Sequence, residues 1–455
     1  MEALMSAHSA APALTEDRRG ATRVLWMSTL AFTLMFAVWL MFGVLGVPIQ
    51  KELGLSDVEL SWVSAVAVLN GSMWRLPAGM LTDRIGGRKV TIAMLLLTAI
   101  PCFFLTHAGT YGSLLILAFL VGFAGNLFSV GIAWNSAWTP RERQGFALGL
   151  FGAGNVGASV TKLLVVLAPG LVVGGGAAAS GFFPTGWRIF PAIYTIALVA
   201  TAVLTFLVVP RRDKVAGAGK PFSEMLVPLK HVRVWRFSLY YVAVFGAYVA
   251  LSAWLPKYYV DNFDVPLKTA ALLTATFIFP ASLLRPLGGT ISDRFGARRV
   301  MYWTFGAMML TTGILMMPNG HIVIQHADGH SSDHLAYSLG LVPFAILVFL
   351  LGCAMGIGKA AVYKHIPEYF PDNVGSVGGL VGMLGGLGGF FLPPLFAYTK
   401  QWSGFPTSTF FVLFLLVVGC ALWMHWTVVH MLHQGSPDLA RHLESPTPAA
   451  ATAVN

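Results

Sequence analysis

Residues 75–90 read Arg75-Leu-Pro-Ala-Gly-Met-Leu-Thr-Asp83-Arg-Ile-Gly-Gly-Arg88-Lys-Val90, and a variant of the same stretch recurs at 285–300 as Arg285-Pro-Leu-Gly-Gly-Thr-Ile-Ser-Asp293-Arg-Phe-Gly-Ala-Arg298-Arg-Val300. Each copy sets an arginine eight positions before an Asp-Arg-x-Gly-x-Arg turn, within apolar sequence. A chain duplicated in this way folds as two similar halves. In apolar chains, duplication is the mark of secondary transporters, whose substrate site lies between the repeats near the bilayer midplane.

Composition supports this reading. Of 455 residues, 56% are hydrophobic and only 11% charged, and the mean hydropathy is +0.71. A soluble domain carries about a quarter charged residues. Apolar runs long enough to cross about 30 Å of hydrocarbon recur about twelve times between residues 24 and 431. The expected fold is an all-α polytopic membrane protein of twelve transmembrane helices in two pseudo-symmetric six-helix halves. We read an N-terminal tail at 1–23, a first half at 24–209, a linker at 210–235, a second half at 236–431 and a C-terminal tail at 432–455. Pro48 is expected to end the first span, and the tails and the Gly/Ala stretch at 174–181 to lack fixed structure.

The 29 Lys and Arg fix the orientation. Twenty fall in segments that face the cytoplasm if the N-terminus is inside, five fall outside, and four fall within spans. The positive-inside rule then puts both termini in the cytoplasm. A net charge of +10 is expected of loops that face anionic lipid, so nucleic acid is not needed as a partner. No cleaved signal is expected. Cys102, Cys353 and Cys420 fall in spans without disulfide or metal spacing, and no metal or cofactor is expected.

The four intramembrane cations are Arg75, Lys162, Arg285 and Lys359. A charge within a span is costly and marks function by default. Eight helical residues rise about 12 Å, which puts Arg75 and Arg285 near the middle of the membrane. No acidic residue in the spans is placed to neutralise them, so a small anion is the simplest partner. The planar donor fork of guanidinium suits a planar oxyanion. The bland alternative is that each arginine caps a helix or pairs with a loop carboxylate. Lys162 and Lys359 are candidates for proton linkage, or else snorkel to an interface.

Gly152, Gly154 and Gly157 in the fifth span and Gly382, Gly385 and Gly386 in the eleventh lie in glycine-rich runs that let helices approach closely. The loop residues Asp83, Arg84, Arg88, Asp293, Arg294 and Arg298 read either as conformational latches or as purely topological charges. His321, His326, His330 and His334 share an outer loop, where a solvated role outweighs metal binding.

The Gly-x-Leu/Ile-x-Asp-Arg-x-Gly-x-Arg loops resemble the signature loop of the major facilitator superfamily. The paired arginines, together with Gly149-Leu-Phe-Gly-Ala-Gly-Asn155-Val-Gly157 and Gly382-Met-Leu-Gly-Gly-Leu-Gly-Gly-Phe-Phe-Leu-Pro-Pro394, resemble the nitrate/nitrite porter (NarK-type) family. The resemblance implies nitrate held by Arg75 and Arg285 between aromatic rings. Tyr241 and Phe245 match its Tyr-x-x-x-Phe-Gly, Phe128 is the opposing ring, and Asn155 matches the first signature. The second signature has Gly-Gly in place of Asn.

Lys162 and the Gly358-Lys359 segment resemble the nitrate/proton symporter lineage. The expectation is therefore a nitrate importer of the bacterial cytoplasmic membrane, working as a monomer, with nitrate and protons as its partners besides lipid and nitrite as a further candidate substrate. Nitrate/nitrite antiport stands behind it, and a non-transporting nitrate sensor is the reading from another class. No nucleophile–base pair or phosphate loop suggests an enzyme.

Overall fold

The computed structural model describes residues 2–167, 186–215, 221, 223–224, 227–326, 329–369 and 374–433. Helix α1 (Glu2–Trp39) begins inside the segment read as a tail, so residues 2–23 are helical and not irregular. Helix α2 (Phe42–Leu53) continues the first span. Pro48 sits inside α2, contrary to the expected stop. In a buried transmembrane helix, neighbouring elements can make good the one bond a proline removes. The stop is Gly54, left-handed at φ 66°, a conformation that costs a glycine nothing.

The second span is broken into α3 (Asp57–Met73) and α4 (Arg75–Ile85). A capping box opens α3: the Ser56 hydroxyl accepts from the Glu59 amide, and the Glu59 carboxylate accepts from the Ser56 amide. Next come α5 (Gly87–Leu105), α6 (Tyr111–Gly122), α7 (Leu127–Trp138), α8 (Arg141–Ala153), α9 (Val160–Leu167) and α10 (Ile189–Val208).

The second half contains α11 (Val232–Tyr241), α12 (Ala247–Phe263), α13 (Leu267–Leu283), α14 (Arg285–Phe295) and α15 (Ala297–Leu315). An antiparallel hairpin follows, β1 (Gly320–Gln325) with β2 (Ser331–Tyr337), pairing Ile322 with His334. The histidine loop is thus an ordered hairpin, and no group of metal-ligating side chains occurs among the described residues. The chain ends with α16 (Leu341–Tyr369), α17 (Val374–Gly386), α18 (Gly388–Ser403) and α19 (Ser408–His433). The 174–181 stretch and the tail beyond 433 lie outside the described residues.

Nine helices among the described residues are long and apolar enough to cross a membrane, or ten if α13 and α14, bent by 42° at Leu284, form one span. The pair α3/α4, which carries an arginine and acidic caps, and α15, which opens on Arg298-Arg299, fall short of that test of composition and length.

The duplication survives in three dimensions. Arg75 opens α4 and Arg285 opens α14, each directly after a one-residue break at Trp74 or Leu284. Pro77 and Pro286, near the start of these short helices, cannot donate to the preceding turn. Other central helices also leave α geometry at their midpoints. Phe123–Asn126 and Gly154–Ser159 are 3-10 turns and Val242–Gly246 is a π turn, both forms that recur at functional bends.

At the end of the bundle that the charge asymmetry puts outside, Asp57 of the first half meets Lys400 at 2.7 Å and Lys257 at 3.1 Å. Asp261 lies 2.7 Å from Lys257 and 3.5 Å from Lys400. Partial burial alone would raise the Asp57 carboxyl. Hydrogen bonds from Lys400 and Gln50, with the charge of Lys257, bring it down to about 2 instead. At the opposite end, the linker residue Asp213 accepts from the Arg88 amide at 2.7 Å and from the indoles of Trp134 and Trp138 at 2.9 and 2.7 Å. Asp213, at the start of the linker, is therefore docked onto the 86–88 turn of the first half.

Candidate functional site

The breaks in the second and eighth spans bring both arginines to the centre. Arg75 is fully buried. Its Nε donates to the Gly71 carbonyl at 3.0 Å, and one Nη crosses the interface between halves to the Gly382 carbonyl at 2.9 Å. The second Nη of Arg75 and Nη1 of Arg285 are buried and have no partner. Neither arginine forms an ion pair among the described residues, so the helix-capping alternative covers only part of Arg75 and none of the Arg285 Nη1 donors.

Aromatic rings surround the pair. The Arg75 guanidinium carbon lies 5.4 Å from the Trp39 ring, 5.5 Å from Phe128 and 5.4 Å from Phe245. Arg285 lies 5.6 Å from Phe128 and 5.6 Å from Tyr363. Phe128 thus serves both cations. Tyr241 stacks on Phe245 at 4.9 Å and 10°, and Tyr363 meets Tyr241 edge-on at 5.1 Å. Cation–π contacts partly offset the loss of water around the guanidinium groups without using up their outward N–H donors.

The signature glycines form the walls. A Cβ on Gly386 would stand 3.1 Å from Arg75 Nη1, one on Gly152 would stand 3.2 Å from Arg285 Nη1, and one on Gly385 would strike the Tyr241 ring at 2.4 Å. Gly382 faces the Tyr363 hydroxyl, while Gly154 and Gly157 press on Phe32 and Thr33 of α1. Asn155 is fully buried, with both side-chain polar atoms unpartnered. The Tyr241 hydroxyl is likewise orphaned.

Both lysines are fully buried and do not snorkel. Lys162 donates to the Ala158 carbonyl at 2.8 Å, one turn back on its own chain. Lys359 donates to the Ala281 carbonyl at 3.0 Å and sits over the Tyr248 ring. The loop residues behave differently in the two halves. Asp293 pairs with Lys364 at 2.7 Å, whereas Asp83 forms no ion pair among the described residues and its carboxyl is pushed up by burial. Arg88 donates to the Phe206 carbonyl, Arg298 is buried, Arg294 lies against Phe295, and Arg84 is exposed.

Sequence reasoning missed Trp39, Ser72 and Tyr363. Tyr363 had a usable signal, standing four residues after Lys359 and thus on the same helix face.

The centre holds two cations and several unsatisfied donors, with no carboxylate among the described residues, in an apolar aromatic shell. The Major Facilitator Superfamily model matches residues 27–325 and 268–449. A relative described as "Probable nitrate/nitrite antiporter NarK1" from Thermus thermophilus is 63% identical over 433 residues, covering 95% of this chain and 97% of the relative. The chain belongs to the major facilitator superfamily, in its NarK-type branch.

"Nitrite extrusion protein" of Bacillus subtilis (strain 168) is 31% identical over 88% of this chain and 93% of its own. "Probable nitrate transporter NarT" of Staphylococcus aureus (strain JH9) is 30% identical over 87% and 92%. Among solved structures, a bacterial homologue of the human lysosomal transporter Spinster, inward-facing and occupied, superposes with a TM-score of 0.66 at 16% identity over 90% of this chain and 96% of that one. The nucleoside transporter NupG gives 0.64 at 14%, covering 88% and 99%. These two establish the fold alone. The superfamily member described here is a multi-pass transporter of the bacterial cytoplasmic membrane and not an enzyme.

Proposed function

We propose that this transporter carries nitrate, with nitrite as a second substrate, by alternating access about the Arg75–Arg285 centre. One observation carries the reading: the guanidinium groups of buried Arg75 and half-buried Arg285 lie over one ring, Phe128, each with a buried N–H donor left over and no carboxylate among the described residues to take it. A planar, acceptor-only anion of charge −1 fits such a place, since guanidinium forks bind planar oxyanions in bidentate fashion. The relatives' printed descriptions name nitrate and nitrite.

Moving a monovalent anion into an inside-negative cell costs about 2.3 kcal/mol per 100 mV. Import therefore needs a co-transported proton or an exchanged anion. We favour protons, because Lys162 and Lys359 are buried in the spans without carboxylate partners among the described residues, and Lys359 lies 5.6 Å from the Phe245 ring of the centre. The second reading is nitrate/nitrite exchange, favoured by the description of the 63% identical relative. In both readings twelve spans, cytoplasmic termini and a monomeric working unit are retained.

Labelled nitrate uptake into proteoliposomes separates the two. Uptake that follows an inward proton gradient into vesicles without internal nitrite supports symport. Uptake that needs internal nitrite makes it an exchanger, and no uptake in either case rejects nitrate transport.

A further inference from the structure

The repeat that places the arginines also repeats the residue one turn before each: Ser72 precedes Arg75 and Ser282 precedes Arg285, in the same Ser-x-x-Arg spacing. Ser72 lies in the last turn before the break at Trp74 and Ser282 in the last turn before the break at Leu284, so each serine stands three residues ahead of its arginine across the bend. Both serines are fully buried.

The two hydroxyls meet different fates. Ser282 Oγ lies 3.0 Å from the Tyr248 hydroxyl, which itself donates to the Asn155 carbonyl at 3.2 Å. Ser72 Oγ is buried with no hydrogen-bond partner at all. Buried helical serines ordinarily settle on the carbonyl one turn back; here Ser238 does so to Val234, Ser252 to Tyr248 and Ser292 to Gly288. Ser72 does not.

Its position tells where it points. A Cβ built on Gly386 would come within 2.8 Å of Ser72 Oγ and within 3.1 Å of Arg75 Nη1. Hydroxyl and guanidinium therefore both pack against the same side of Gly386. A buried hydroxyl costs free energy unless it is bonded, and Ser72 Oγ is held unbonded near the Arg75 guanidinium, whose Nη2 also has no partner; such an arrangement is suited to an acceptor that arrives and leaves.

We propose that Ser72 is a direct ligand of the transported oxyanion, donating its hydroxyl proton to an oxygen already held by Arg75, and that Ser282 has no such role. The inference rests on the transport reading above and assigns one more donor to that centre. The pseudo-symmetric site is therefore functionally lopsided, with the extra donor on the first half.

The test is equilibrium nitrate binding to purified full-length protein, with melting temperatures measured without nitrate, for wild type, Ser72→Ala and Ser282→Ala. A hydrogen bond to a charged acceptor predicts about tenfold weaker nitrate binding for Ser72→Ala. The nitrate-free melting temperature holds or rises, because the hydroxyl removed was unsatisfied. Ser282→Ala keeps its affinity within about twofold.

Affinity within twofold of wild type in Ser72→Ala overturns the proposal, as does an equal loss in both variants. Wild type that binds no nitrate overturns the transport reading together with it, so the two failures are distinguishable.

Discussion

The ammonium of Lys359 lies 3.2 Å from the centroid of the Tyr248 ring, and the Phe245 ring lies 5.6 Å away on another side. This amine lies against an aromatic face, donates to the Ala281 carbonyl and has no carboxylate partner among the described residues. On the symport reading proposed above, this lysine is the group that trades its proton with the transport cycle. Lys359→Met is expected to abolish nitrate-driven alkalinisation outside vesicles while leaving nitrate binding within a few-fold, and Lys162→Met gives the matched comparison. Proton movement unchanged in both variants would remove the lysines from coupling.

Arg75→Lys and Arg285→Lys are each expected to cut nitrate uptake by about 100-fold or more with normal membrane insertion. A single ammonium cannot replace two parallel donors, and at Arg75 it also cannot span both the Gly71 and Gly382 carbonyls. Uptake assays on variants quantified in the membrane fraction decide the matter; retention of uptake in both would move the substrate elsewhere.

Phe128 is the ring both guanidinium groups share. Phe128→Ala removes two cation–π contacts, each worth about 0.5–2 kcal/mol, and lets water between the cations. Nitrate affinity should fall by about tenfold or more, and Phe128→Leu, which keeps the volume but not the π face, should fall nearly as far. Full affinity in Phe128→Leu would mean the ring serves only to fill space.

Gly385→Ala should be worse than an ordinary glycine substitution in a helix, about 1 kcal/mol in scale and usually favourable. Its methyl would meet the backbone-anchored side of Tyr241, at 2.4 Å from Cδ1 and 2.7 Å from Cβ. Loss of uptake with retained insertion is the expected outcome, read by the same vesicle assay. Gly419→Ala, at a position with open space around it, is the control.

The outer ion cluster has a defined pH response. The Asp57 carboxyl sits at about 2 in the folded protein, against about 3.9 when free. Its contribution to holding the halves together is therefore complete above about pH 4 and lost as pH falls through about 2. Asp57→Asn should mimic the acid state at neutral pH, raising the labelling rate of a cysteine introduced at Ser64 by several-fold. An unchanged rate would show that the cluster does not hold the outer end shut.

Much of this was legible because duplication is a strong signal. The spacing of Arg75 from Asp83 and of Arg285 from Asp293 gave the two halves and pointed to the centre before any coordinates. Phe128, Tyr241 and Phe245 came from local motifs, and the structure gathers them around Arg75 and Arg285. Trp39 was invisible because the part of α1 from residue 24 to 39 carries no charge and offers little periodic contrast. Pro48 was misread because helix-stopping rules come from water, whereas a membrane span is carried through by its neighbours. The docking of Asp213 could not be read from sequence, since one carboxylate in a basic linker looks like any other until its indole partners fold beside it.

That no carboxylate among the described residues stands by Arg75 and Arg285 has a further consequence for turnover. On the transport reading proposed above, departure of the anion leaves two fixed positive charges without a counter-charge. The empty carrier's return is then expected to be the slow leg of the cycle, shortened by any second anion that boards on the far side. Net uptake should therefore run slower than one-for-one counterflow of labelled nitrate, whichever ion supplies the driving force.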